Sequence, residues 1–176
     1  MVTEHTWCGG VTALTMAAGI GLLVLAAEPS LAAITVSNSP SGGLSHPSLP
    51  AGATVSWTTP ANVTTDDAVY ASATLASGAF SYYLMATGYN FGLPTNAIIE
   101  GIQVDIKRRA SNNGSRIRDK SIRLVSGGIL STNEKAVSTS WPNNAGEAYA
   151  TYGGPSDLWG TNWTAAGITS ASFGVA

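Results

Sequence analysis

Aromatic rings, adjacent aspartates and a cluster of arginines are the residues whose types and spacing could do chemistry in this chain. In residues 152–164, YGGPSDLWGTNWT, the side chains Tyr152, Asp157, Trp159 and Trp163 stand among glycines. Aromatic faces stack on the apolar sides of sugar rings, and loops carry specificity more often than strands, so these four are the candidate ligand-binding residues. The competing use is core filling, with each indole N–H satisfied by a carbonyl, and it is the expectation for at least one of the two tryptophans. Trp57, on an alternating segment, reads as core. Asp66 and Asp67 are the candidate metal ligands, because neighbouring carboxylates before a strand can offer hard oxygens to Ca²⁺. Calcium takes about 6 to 8 oxygens and no D-x-D-x-D-G loop is present, so turn capping by the same side chains is the stronger reading and no cofactor is required.

Catalysis has little to draw on. His5 and His46 both precede the patterned part of the chain, which leaves no imidazole there as a base or zinc ligand. The carboxylates from Asp66 to Asp157 include no pair in a recognisable acid/base setting, so enzyme activity is not expected. Cys8 is the only cysteine, which excludes an intrachain disulfide and a thiolate metal cage. With a net charge of −2, the chain has no field suited to a phosphate backbone, and nucleic acid is not an expected partner.

The elements that must position these residues begin after an N-terminal address. Residues 11–27, VTALTMAAGIGLLVLAA, are apolar and uncharged, and Ser30, Leu31, Ala32 and Ala33 follow as a small-residue cleavage site. Residues 1–33 therefore read as a signal peptide, cut after Ala32 or Ala33, with membrane association only through an uncleaved leader. No Lys or Arg precedes the apolar run, which departs from the usual pattern. Residues 34–52 are rich in Ser, Gly and Pro and read as a lead-in. Residues 53–176 form one domain.

Within that domain the pattern has period two. Ile102, Val104 and Ile106 alternate with Gln103, Asp105, Lys107 and Arg109, and Ile122 and Leu124 alternate with Ser121 and Arg123. Turn signals separate such runs, at Ser77-Gly78, Asn112-Asn113-Gly114 and Gly127-Gly128. No window after Ala33 carries a helical stripe. Short half-buried strands must cover each other's apolar faces, which predicts an all-β fold, an antiparallel β-sandwich of jelly-roll-like type. A hairpin turning at Asn113-Gly114 would gather Lys107, Arg108, Arg109, Arg116 and Arg118 on one ribbon. That ribbon is either an anionic-ligand patch or an ion-paired solvent face, and the second is the stronger expectation.

The strings YYLMATGYNFGLPTNAIIEGIQVDIKRRA, IRDKSIRLVSGG, WPNN, YGGPSDLWGTNW and SFGV resemble a family of small β-sandwich domains of phage virion or tail proteins and bacterial surface proteins. The resemblance runs over residues 54–176. It implies a jelly-roll-like fold, no enzyme activity and a further strand beyond the F-G-V segment; since this sequence stops at Ala176, a domain truncated at its C-terminus is the first expectation and a subunit with a strand position left open is the second. The function expected is an exported, secreted or cell-surface binding or adhesion module, with surface glycans or polymers as ligand. The alternative is a structural subunit of a virion, tail fibre or surface filament, assembled by strand addition with residues 34–39 as donor.

Overall fold

The computed structural model describes residues 3–18, by their backbone, and residues 34–111, 116–143 and 146–176. Among the described residues the fold is all-β apart from one short α-helix and a 3-10 turn at Pro60–Thr64. The strands are β1 (Thr3–Ala18), β2 (Ile34–Asn38), β3 (Gly42–Ser45), β4 (Ala71–Leu75), β5 (Leu84–Thr87), β6 (Ala97–Ala110), β7 (Leu124–Ser126), β8 (Ile129–Leu130), β9 (Ala148–Gly154) and β10 (Gly174–Val175), with α1 at Ala165–Thr169. They form two five-stranded sheets. In the first the order is β2-β1-β6-β9, with β4 also on β1; in the second it is β3-β5-β10-β7-β8, and every ladder is antiparallel.

The alternation along β6 does what its sequence demands. Ile102, Val104 and Ile106 are buried while Gln103, Asp105 and Lys107 are partly exposed. Ile122 and Leu124 join the same apolar cluster from the second sheet's side, so all five residues share one core. Burying each such side chain stabilises by about 1.5–3 kcal/mol relative to leaving it in water. Trp57, Trp141 and Trp159 complete that cluster.

Two expectations change in the structure. The run read as a hairpin through Asn113 is a crossover: β6 lies in the first sheet and β7 in the second, so Lys107–Arg109 and Arg116–Arg118 do not share a ribbon. The turn itself, at 112–115, falls outside the described residues. The lead-in is more than a connection, since β2 pairs with β1 and β3 pairs with β5, and the donor segment is thus paired within its own chain. The F-G-V segment has both its edges used: Val175 faces Ala86 on one side and Leu124 on the other.

Residues 3–18, part of the stretch read as a leader, run as a strand between β6 and the pair β4 and β2. The cleavage site at 32–33 lies outside the described residues. The Gly127-Gly128 signal is a true turn: both residues have positive φ, 58° and 80°, and join β7 to β8. Thr164 caps α1, its Oγ1 accepting from the Gly167 N–H at 3.0 Å. Among the described residues no helix is long and apolar enough to cross a membrane.

Candidate functional site

The aromatic set is placed mainly in the core. Trp159 is fully buried, its Nε1–H donating to the Ile102 carbonyl at 2.9 Å, and Lys135 sits 5.7 Å from its ring centroid. Its expected role in a sugar platform is corrected, because no ring face is left for a ligand. Tyr152 is likewise buried, 2% exposed, and is corrected with it. Trp163 is half-buried, packed edge-on against Phe173 at 5.3 Å with Nε1–H on the Leu158 carbonyl. Asp157 accepts from Lys135 Nζ at 2.6 Å and from the Trp159 N–H at 2.8 Å. Burial raises its carboxyl pKa, but the ammonium and the N–H together outweigh that and hold it below the ordinary value. These four residues therefore serve the fold, each through a bond or contact made within the chain.

The aspartate pair is also occupied. Asp66 accepts from Lys107 Nζ at 2.8 Å and from Tyr149 OH at 2.6 Å, which lowers its pKa. Asp67 caps its turn, accepting from Thr65 Oγ1 and from the Val69 N–H, both at 3.0 Å. Lys107 and Tyr149 thus engage Asp66, and Asp67 makes the turn-capping contacts that were the stronger expectation for the pair. Among the described residues no group of three or more His, Cys, Asp or Glu could hold a metal. His46 spends Nδ1 accepting from the N–H groups of Ser48 and Leu49.

The basic cluster separates into three environments. Lys107 is ion-paired on the outer face with Asp66 and, at 2.7 Å, with Glu147. Arg108 points inward with Ile106 and Ala110, and pairs with Asp119. Asp119 also accepts from Trp141 Nε1 at 2.7 Å, Tyr152 OH at 2.8 Å and the Val137 N–H at 3.0 Å, so every partner of this buried carboxylate is internal. Burial, followed by the Asp119 charge, raises the Tyr152 phenol pKa. Arg116 and Arg118 have no ion pair among the described residues.

Those two arginines line a cleft that no sequence motif announces, with a volume of about 710 Å³. One wall is residues 75–84 and the other is residues 116–122, with Pro50, Trp57, Trp141 and Ala176 completing the lining. The walls meet through long side chains. Tyr83 OH donates to Ser121 Oγ at 2.8 Å, and Lys120 Nζ lies 4.9 Å from the Phe80 ring centroid. Trp57 Nε1–H is held by the Tyr82 carbonyl at 2.8 Å, which fixes the indole. Arg116, Arg118 and Lys120 alternate along the second wall as exposed residues, while Ile117 and Asp119 between them are less exposed. The juxtaposition of that wall with Phe80 and Tyr82 follows from no pattern in the sequence.

Comparison with family models, curated proteins and solved structures returned no match.

Proposed function

We propose that the chain is an exported, non-enzymatic binding or adhesion module, a jelly-roll-like β-sandwich whose ligand is an extended, negatively charged surface polymer held in the cleft between residues 75–84 and 116–122. The single observation that carries this reading is the lining: fixed aromatic rings beside Arg116 and Arg118, which lack ion pairs among the described residues. Concave sites with apolar walls and a few convergent polar groups are the usual form of a ligand pocket. Guanidinium groups at such a site favour carboxylate-bearing or sulfated ligands, since planar N–H pairs match those anions. Acidic glycans are the class that the aromatic residues suggest first.

The test is binding of fluorescein-labelled alginate and polyglutamate to the full chain and to the double variant Arg116→Glu/Arg118→Glu, with a neutral cello-oligosaccharide as control. Polyanion binding that weakens with salt and disappears in the variant is expected. No binding of either polyanion, or equal binding by the variant, overturns the reading. A second reading, a structural subunit of a virion, tail fibre or filament, draws on the exposed apolar residues Ile98 and Ile129, 58% and 76% exposed. Filaments seen by electron microscopy at rising concentration would favour it.

A further inference from the structure

We infer that β9 is a dimerisation edge, paired antiparallel with β9 of a second copy of this chain about a two-fold axis at Thr151. The edge shares no residue with the lining of the cleft, so it goes beyond the reading above and stands without it.

Main-chain direction carries the inference. The N–H and C=O of one strand residue point to the same side, and successive residues alternate. Ile102 N–H donates to the Asp157 carbonyl and Ala110 N–H to the Pro142 carbonyl, and these two acceptors lie just beyond the two ends of β9. The even-numbered residues of β6 therefore bond toward β9, where their partners are Tyr152, Ala150 and Ala148. Tyr149 and Thr151 turn their own groups the other way, toward the border of the sheet. β9 ends that sheet, and among the described residues no backbone group meets the main chain of Thr151.

Three other edges are guarded and this one is not. Thr58 exchanges both backbone bonds with Ser72 and so covers β4. The Pro60–Thr64 turn packs on β3, so closely that a Cβ on Gly43 would strike the Pro60 carbonyl. β8 is two residues long, and β2, the remaining edge, is five. β9 runs for seven residues with no proline and no charge of its own, two of the devices that blunt an edge. Side chains on its outer face are drawn back over the sheet: Glu147 to Lys107, Tyr149 to Asp66 and Thr151 to Asp105. Ala148, Tyr149, Thr151 and Gly153 are exposed.

The sequence AYATYGG fits its own copy. A two-fold axis through a residue sets outward-turned groups opposite outward-turned groups, and the axis at Thr151 is the one that overlaps the whole strand. Thr151 then faces Thr151 of the second copy, a favourable cross-strand pair that exchanges both main-chain bonds. Tyr149 faces Gly153, and Tyr152 faces Ala150, so on each face a large side chain meets a small one or none. No like charges are opposed along the strand. Such a pairing is isologous and closes at the dimer.

The experiment follows the full chain by size exclusion coupled to light scattering at rising concentration, and a dimer is expected. Thr151→Lys and Thr151→Glu each set two like charges opposite one another, so each alone should raise the dimer dissociation constant at least about tenfold. Circular dichroism of both should match the wild type, since Thr151 is exposed. An equimolar mixture of the two variants sets Lys opposite Glu and should restore the dimer, a rescue that requires the axis at Thr151. A wild-type chain that is monomeric at every concentration overturns the inference. So does a dimer that both variants leave unchanged, or a loss that mixing does not repair. A chain that stays monomeric yet binds a neutral peptide of alternating valine and threonine has a different occupant at this edge, and overturns the second copy as its partner. Open filaments in place of a dimer overturn the closed pairing.

Discussion

The guanidinium of Arg108 and the carboxylate of Asp119 form an ion pair inside the protein, with side chains 7% and 0% exposed. Arg108 lies over two rings, 5.5 Å from the centroid of Trp141 and 5.8 Å from that of Tyr152, and both aromatic residues donate to the same aspartate. Asp119 thus ties β6 and β9 to the segment that runs into β7. Asp119→Ala strands a buried cation and three donors, and should destabilise by about 3–5 kcal/mol in denaturant unfolding. Arg108→Met combined with Asp119→Asn should recover part of that loss, because the isolated charge is gone. Equal losses in the single and double variants would show that the charge is not the cause.

Register is tested on β6. Val104 is fully buried and Gln103 partly exposed, where it donates to Asp105. Val104→Asp should cost several kcal/mol, on the order of 3 or more, through burial of an unpaired carboxylate. Gln103→Asp should cost about 1 kcal/mol or less, the scale of exposed charge contacts. Thermal unfolding of the two variants separates them, and equal shifts would refute the register.

Trp159→Ala should destabilise by about 3–5 kcal/mol, the range for truncating a buried Trp. The ring is locked from several sides. A Cβ on Gly153 would lie 2.5 Å from Trp159 Nε1, and Gly153 has φ of 71°, so Gly153→Ala should lower the melting temperature as well. Near-native melting of either variant would argue against this packing.

How much of this was legible in the sequence depends on the range of each signal. Ile102, Val104 and Ile106 declared their face by alternation alone, and the same parity places Arg108 inward; reading Arg108 with its charged neighbours Lys107 and Arg109 concealed that. Asn112-Asn113-Gly114 suggested a hairpin because turn chemistry reports only a local reversal, and cannot tell whether the chain returns in the same sheet or crosses to the other. An apolar, uncharged run such as 11–18 fits a leader and a central strand equally well, since both demand only the absence of charge. The cleft needs residues 75–84 beside 116–122, a juxtaposition set by the two sheets and by no motif.

The Lys107 cluster predicts a pH response. Hydrogen bonds from Lys107 hold Asp66 and Glu147 below their ordinary values of 3.8 and 4.5, aided by Tyr149 and Tyr70 respectively. Depressed carboxylates contribute stability that is present above those ordinary values and lost as pH falls through the lowered ones. Lys107 is raised, by Asp66 first and Glu147 second, so its share is complete below 10.5 and is lost only at higher pH, above that value. The melting-temperature gap between wild type and Lys107→Met should therefore be steady from neutral pH to about 5 and close below 4. A gap independent of acid would exclude these pairs as its source.

The last prediction concerns β1, which joins the first sheet together. β4 and β2 reach β6 only through it: Trp7 pairs with Ala71 and Arg108, and Leu14 pairs with Val36 and Ile102. If export removes residues 1–33, as the proposed leader requires, β6 keeps β9 on one side and loses its ladder partner on the other along most of Ala97–Ala110. A long unpaired edge is a template for another chain. Protein beginning at Ile34 should then self-associate further with rising concentration, while the full chain stops at the β9 dimer. Light scattering coupled to size exclusion, with mass spectrometry of the exported species to establish its first residue, makes the comparison. A protein starting at Ile34 that associates no further than the full chain and melts with it would show that the first sheet does not depend on β1.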